Sequence, residues 1–326
     1  MSDENILITE KSGNLLKINL INKKINKFNH NLNILEDGQG GLLEVLYRND
    51  EIFVSYSENR GGGKSSTSVA KKPEKALNLC AAALSIIEMD DGSNEKTKEI
   101  ISKIENYFSL QVRLTIRNKM EGIYIIVDPE ATNKVDAYDM TKSSLEGGVK
   151  VVQYRDKLND RATFLENCYK IKELCDQYNA AFVVNDAVDI AKLAEADFLH
   201  VGQSDMPVEE ARRILKPSQC IGRSNGGVLE STESEEFGVD YLAVGAIYAT
   251  STMGKSARSP LGPSMITKVK SQTGLPIVAI GGITIENLPD VIQAGADSVC
   301  MVSAITMSED PEASARKLVN IWDTFK

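Results

Sequence analysis

The chain has 326 residues, 42% hydrophobic and 25% charged, with a formal net charge of −9. That composition is ordinary for a folded globular protein, and the length allows two domains or one large domain with an appendage. A membrane span would need a run of about eighteen apolar residues, which is not found; the opening MSDENILITEKSGN has neither the basic nor the apolar part of a secretory signal; and the acidic balance of residues 121–326 argues against nucleic acid as a partner.

Residues 1–72 read as a small β-rich fragment. Short apolar runs at Asn5–Thr9, Leu15–Leu20, Leu42–Tyr47 and Ile52–Tyr56 lie between Gly, Asn and Asp turns. Three stretches, Leu7 to Leu15, Asp37 to Glu44 and Ile52 to Glu58, resemble part of the soluble sugar dehydrogenases with β-propeller folds. A propeller closes only with several four-stranded blades, so a piece of this length implies a fragment or fusion remnant without dehydrogenase activity. Arg60-Gly61-Gly62-Gly63-Lys64-Ser65 invites a phosphate-loop reading, but Glu58 stands where that motif needs its first glycine. Residues 73–120 read as a helical connector, with helices over 74–89 and 94–118. It could pack against the barrel or a second subunit, so a homo-oligomer stays open.

From residue 121 the pattern repeats to the end of the chain. Apolar runs at Ile123–Val127, Val149–Gln153, Ala181–Val184, Phe198–Val201, Cys220–Gly222, Tyr241–Ala246, Pro276–Ile280 and Ser298–Val302 alternate with amphipathic stretches. The amphipathic stretches include Arg161–Tyr178, Val208–Leu215, Ser264–Ser271, Ile285–Ala294 and Glu312–Phe325. Eight βα units over 121–326 predict an α/β fold, a (β/α)8 TIM barrel. An open doubly wound sheet is disfavoured because no GxGxxG turn follows any strand.

In such a barrel the active site lies at the C-terminal ends of the strands. Those ends carry Asp128, Gln153-Tyr154-Arg155-Asp156-Lys157, Asn185-Asp186, Asp205, Ser224-Asn225, Thr250-Ser251-Thr252, Gly281-Gly282 and Ser303. Asp186 and Asp205 end neighbouring strands, and two carboxylates there suit Mg2+ sharing its remaining sites with water and phosphate oxygens. Arg155 and Lys157 flank Asp156, so the pleat points both basic groups one way, as a diphosphate clamp requires. Gly281-Gly282 and Val302-Ser303 occupy the usual phosphate cradle after strands 7 and 8. The small phosphorylated ligands this inventory suits need no catalytic histidine, and the chain has only two, His30 and His200. His200, inside a strand, reads as packing. Cys80, Cys168, Cys175, Cys220 and Cys300 are scattered and odd in number, so they are expected as thiols in a reducing, cytoplasmic setting.

As a set, residues 122–305 resemble thiamine phosphate synthase across the whole barrel. The likeness rests on Gln153 to Lys157, Asn185-Asp186, His200 to Asp205, Gly222 to Ser224, Gly245 to Thr252, Ala279 to Ile283 and Val302 to Ile305. It implies condensation of a hydroxymethylpyrimidine diphosphate with a thiazole phosphate, with Mg2+ on Asp186 and Asp205. Arg155, Lys157 and Asn185 would hold the leaving diphosphate, and Gln153 and Ser224 the pyrimidine. Tyr154 and Asp156 fall within the matched substrate motif. Thr250, Ser251, Thr252, Gly282, Val302 and Ser303 would hold the thiazole and its phosphate. The family's lysine after strand 6 is replaced by Met253, so either Lys255 two residues on serves in its place or the diphosphate is stabilised less. A thiazole tautomerase-like barrel, or an inactive barrel carrying an N-terminal interaction module, is the alternative.

Overall fold

The structure, a computed structural model, describes residues 5–9, 15–19, 25–28, 42–48, 51–57, 65–70, 95–132, 135–250 and 259–326. By its internal contacts the chain divides into two compact units, residues 1–112 and 113–326. In the first unit, β1 (Asn5–Thr9), β2 (Leu15–Asn19) and β3 (Ile25–Phe28) make one antiparallel sheet. A second is formed by β4 (Leu42–Arg48), β5 (Glu51–Ser57) and β6 (Ser65–Ala70). The sequence pattern did not single out β3 and β6. Both are edge strands, INKF and SSTSVA, and an edge tolerates the polar residues that mask a strand signal. Helix α1 (Glu95–Arg117) matches the second expected helix to within a residue at each end. The expected helix over 74–89 and the glycine-rich 60–64 segment lie outside the described residues.

The second unit is a closed barrel of eight parallel strands. Its strands are β7 (Gly122–Val127), β8 (Val151–Tyr154), β9 (Ala181–Asn185), β10 (Phe198–Val201), β11 (Cys220–Asn225), β12 (Tyr241–Gly245), β13 (Ile277–Ile280) and β14 (Ser298–Cys300). Each pairs with its neighbours in sequence, and β14 closes the ring on β7 through Ser298↔Gly122 and Cys300↔Tyr124. Helices lie between them: α2 (Ala137–Glu146), α3 (Arg161–Gln177), α4 (Val188–Leu193), α5 (Val208–Ile214), α6 (Val228–Glu236), α7 (Ser264–Lys270) and α8 (Leu288–Gln293). After β14 come the short α9 (Ser303–Thr306) and α10 (Pro311–Phe325). Side-chain caps begin several of them: Asp136, Asp160 and Asp310 each accept a backbone N–H in the first turn of α2, α3 and α10.

Strand parity sorts the apolar residues into two shells. Ile123, Ile125, Val127, Val152, Phe182, Val184, Leu199 and Ile221 point outward and pack under the helices. Tyr124, Ile126, Val151, Val183, Phe198, Cys220, Tyr241 and Val278 point inward and fill the barrel. Both shells are buried, so each strand reads as a continuous apolar run, as buried parallel strands do. The parity continues past the strand ends and decides which polar residues reach the site.

Candidate active site

At the C-terminal end of the barrel, where the strands stop, lies a cavity of about 370 Å3. A cavity of this size can take a small ligand. Six of the residues expected from the sequence line it: Gln153, Arg155, Asn185, Asp186, Asp205 and Ser224. Parity explains the set. Val151 and Gln153 face inward, so Arg155 continues on the inner side, while Val152, Tyr154 and Asp156 face out.

Tyr154 and Asp156 are therefore placed away from the cavity, contrary to the sequence expectation. The Tyr154 ring is fully buried in the outer shell, edge-on to Phe164. Its hydroxyl donates to Asp156 Oδ2 at 2.6 Å and accepts from Asn167 Nδ2 at 3.0 Å. Asp156 also accepts from the backbone N–H groups of Leu158 (3.0 Å) and Asn159 (2.9 Å) and from Asn159 Nδ2 (2.8 Å). These bonds fold the β8–α3 turn. Tyr154 and Asp156 shape the loop that presents Arg155 and Lys157, and their polar atoms are already used.

Arg155 is aimed by Asp128, which ends β7 and is 1% exposed. Its Nη1 donates to Asp128 Oδ2 and stands 3.8 Å from Glu130 Oε2. Lys157 Nζ donates to Asp186 Oδ2 at 2.7 Å. Asp186 itself adopts a left-handed backbone, φ +58°, uncommon outside glycine, Asn and Asp. That conformation is locked by its backbone N–H donating to His200 O across the β9–β10 edge at 2.8 Å. Asp205 folds back so that Oδ2 accepts from Gly202 N at 2.7 Å. The two carboxylates thus follow adjacent parallel strands, paired as His200↔Asn185. Among the described residues no group of three or more His, Cys, Asp and Glu forms a protein-only cage. Two carboxylates at the mouth of a polar cavity fit a hard divalent ion that takes its other oxygens from water and phosphate.

The cavity floor holds residues that the sequence reading missed or undervalued. Tyr124 and His200 line it. His200, expected as packing, bonds through Nε2 to Ser224 Oγ at 3.0 Å and through Nδ1 to Tyr241 OH at 2.8 Å. Its alternation with Phe198 on an inward-facing strand was a legible signal, because a polar residue at the C-terminal inward position of a barrel strand faces the site. Gln203 also lines the cavity and donates to Glu230 at the start of α6.

The opposite side is built differently. Gly281 (φ +99°) and Gly282 (φ +65°) pack on the backbone that leaves β12. A Cβ on Gly282 would stand 2.4 Å from Ala249 O. Tyr248 N donates to Gly281 O at 2.9 Å. Close approach of two loops accounts for this glycine pair as directly as a phosphate cradle does. Val302 precedes the four-residue α9, with Ser303 exposed at its start. The residues lining the 370 Å3 cavity do not include Thr250, Gly282, Val302, Ser303 or Lys157. Ser251, Thr252, Met253 and Lys255 lie outside the described residues.

Comparison with known proteins bears on this site. Residues 123–305 match the family described as thiamine monophosphate synthase, and residues 1–109 match the one described as glucose/sorbosone dehydrogenase. A thiamine-phosphate synthase of Methanospirillum hungatei is 39% identical over 200 residues, covering 61% of this chain and 97% of that protein. One from a Synechococcus species is 41% identical over 207 residues, covering 62% of this chain and 58% of that protein. The solved thiamine phosphate pyrophosphorylase of Pyrococcus furiosus superposes with a TM-score of 0.59 at 30% identity, covering 64% of this chain and 98% of that one.

Proposed function

The chain belongs to the thiamine monophosphate synthase family, and we propose that its barrel joins an aminopyrimidine carrying a diphosphooxymethyl group to a thiazole phosphate, giving thiamine phosphate and diphosphate. The observation that supports this most is the mixed lining of one cavity. Arg155, Asp186 and Asp205 bring charge to it, and Gln153, Asn185 and Ser224 bring uncharged polar groups. The charged set suits a diphosphate, and the uncharged one a heterocyclic edge.

In the reaction, the bond between the methylene carbon and the diphosphate oxygen breaks and both electrons leave with diphosphate. The positive charge left on the methylene is delocalised into the aminopyrimidine. The thiazole nitrogen lone pair then forms the new carbon–nitrogen bond, so no proton has to move. This matches a site whose one imidazole is engaged with two hydroxyls. Arg155, Lys157 and Asn185 hold the diphosphate oxygens as charge builds on them. Asp186 and Asp205 are the residues to hold Mg2+, which would neutralise the departing group. Lys157, paired to Asp186 at 2.7 Å, is an ammonium beside a carboxylate that would hold the ion, and it would serve the diphosphate there. Gln153 and Ser224 hold the pyrimidine. Thr250, Ser251, Thr252, Gly282, Val302 and Ser303 hold the thiazole and its phosphate. With Met253 in place of the family's lysine, either Lys255 serves the diphosphate or that group is held less strongly.

No helix among the described residues is long and apolar enough to cross a membrane. The four described cysteines are buried thiols, consistent with a cytoplasmic setting. The test is release of diphosphate with both substrates present, with and without Mg2+, in the wild type and in Asp186→Ala. Release that needs both substrates and Mg2+ and is lost in the variant supports the reading. Full activity of a folded Asp186→Ala would sink the metal assignment, and no release from the wild type would sink the reaction.

A further inference from the structure

Five side chains from five different strands are linked across the barrel floor. Gln153 Nε2 donates to Tyr124 OH. Tyr124 OH lies 3.4 Å from Tyr241 OH, the longest link. Tyr241 OH lies 2.8 Å from His200 Nδ1, and His200 Nε2 lies 3.0 Å from Ser224 Oγ. The two ends, Gln153 and Ser224, line the cavity. The middle, Tyr241, is fully buried, edge-on to Phe198 and stacked on His200 with ring centres 5.8 Å apart. Space for it is made by Gly222 on the adjacent strand, where a Cβ would fall 2.0 Å from the Tyr241 ring.

The chain has a direction. An amide nitrogen only donates, so the Tyr124 oxygen accepts from Gln153, which leaves its one proton available to Tyr241. The Tyr241 oxygen accepts that bond and gives its own proton to His200 Nδ1. With Nδ1 accepting, the ring proton of a neutral imidazole sits on Nε2 and is donated to Ser224 Oγ. The serine oxygen then accepts with one lone pair, and its own proton is left to be donated to the cavity that Ser224 lines. At the other end, the bond to Tyr124 engages the Gln153 nitrogen and leaves Oε1 as the acceptor available to the cavity that Gln153 lines. Burial pushes the hydroxyls of both Tyr124 and Tyr241 up, so both keep the protons the chain needs.

We propose that Tyr124, Tyr241 and His200 are positioning residues that set hydrogen-bond polarity at the two ends of this chain, so that Gln153 presents its amide oxygen and Ser224 its hydroxyl proton to the heterocycle. An aminopyrimidine edge offers the complement: an exocyclic N–H donor and a ring-nitrogen acceptor. A pyrimidinone carrying oxygen in place of the amino group offers the reverse pair and is rejected, since one mismatched buried polar contact leaves both groups unpaired. The proposal thus deepens the reading above and rests on it for the ligand, while the directed chain itself does not depend on any ligand.

The test has two arms. In full-length protein labelled with 15N-histidine, the His200 ring is resolved by comparison with His30→Gln, since the chain has only these two histidines. The expected spectrum without substrate is a neutral ring protonated at Nε2, shifting toward a mixture of tautomers in Tyr241→Phe. A ring protonated at Nδ1, or one unchanged in Tyr241→Phe, overturns the chain. In the second arm, Tyr241→Phe is expected to raise KM for the aminopyrimidine diphosphate by ~10-fold and leave that for the thiazole phosphate unchanged. It should also narrow the preference for amino over oxo pyrimidine. Unchanged KM and preference, with the tautomer shifted, overturn the specificity role alone. If Tyr241→Phe does not fold, Tyr124→Phe interrupts the same chain one link earlier and carries the same expectations.

Discussion

Asp128 illustrates how one buried carboxylate can act without touching a ligand. It is nearly inaccessible, accepts from Glu130 N at 3.0 Å and receives the Arg155 guanidinium. Taking that charge out of water is costly unless it is paired, so Arg155 is held by the same bond that satisfies Asp128. Removing the carboxylate leaves Arg155 without its anchor beside the cavity. Asp128→Ala is therefore expected to raise KM for the diphosphate-bearing substrate by roughly 10- to 100-fold, the value of one hydrogen bond to a charged group. KM for the thiazole phosphate should not change. Steady-state kinetics with each substrate varied in turn separate the two. An equal rise in both would point to a collapsed barrel end and not to a misplaced arginine.

At the scale of elements, the β8–α3 turn is a small folded unit whose hub is Asp156. Burial pushes its carboxyl up, but the hydrogen bonds from Tyr154, Asn159 and Leu158 outweigh it and hold the group below the usual carboxylate range. A depressed folded pKa stabilises the native state fully above the unfolded value near 3.9 and loses that contribution as the pH falls through the folded value. Asp156→Ala should thus cost about 1–3 kcal/mol near neutrality. The difference in Tm between wild type and variant should shrink below about pH 4. A gap that stays constant into acid would mean the carboxyl is not the anchor. The same turn shows what could and could not be read in advance. The alternation that predicted Arg155 and Lys157 on one side also implies Tyr154 and Asp156 on the other, so their place in the outer shell was legible and only the family motif suggested otherwise. The links among Tyr124, His200 and Tyr241 were not legible. His200 could be read as facing the site, but nothing in sequence ties it to Tyr124 and Tyr241, which are 117 positions apart. Only the closing of the ring brings their hydroxyls together. The glycine pair after β13 is a related case. Gly-Gly signals tight backbone, yet only the structure shows that Ala249 O sits where a Gly282 side chain would be. Gly282→Ala is expected to cost about 1–3 kcal/mol from its φ of +65° alone, seen as a lower denaturation midpoint with or without phosphate.

At the scale of the whole molecule, the chain joins two units of different character: antiparallel sheets in the first, and a parallel barrel that closes on itself in the second. The barrel needs no strand from outside, since β14 pairs with β7 and every ladder is complete within residues 113–326. Every residue assigned a role in catalysis lies in that unit, and the synthase family match spans residues 123–305. Residues 1–109 match a sugar dehydrogenase family, but the six short strands among the described residues fall well short of the several four-stranded blades that close a propeller. The expectation is that the first ninety or so residues add nothing to the reaction. A chain beginning at Glu95 keeps α1 whole and should release diphosphate with kcat/KM within about twofold of the full chain, below the tenfold that loss of one 1.4 kcal/mol contact would give. It should also keep the same dependence on Mg2+. A larger loss with the barrel's circular dichroism intact would show that the N-terminal unit takes part in the reaction, and it would then have to be counted as part of the enzyme and not as an addition to it.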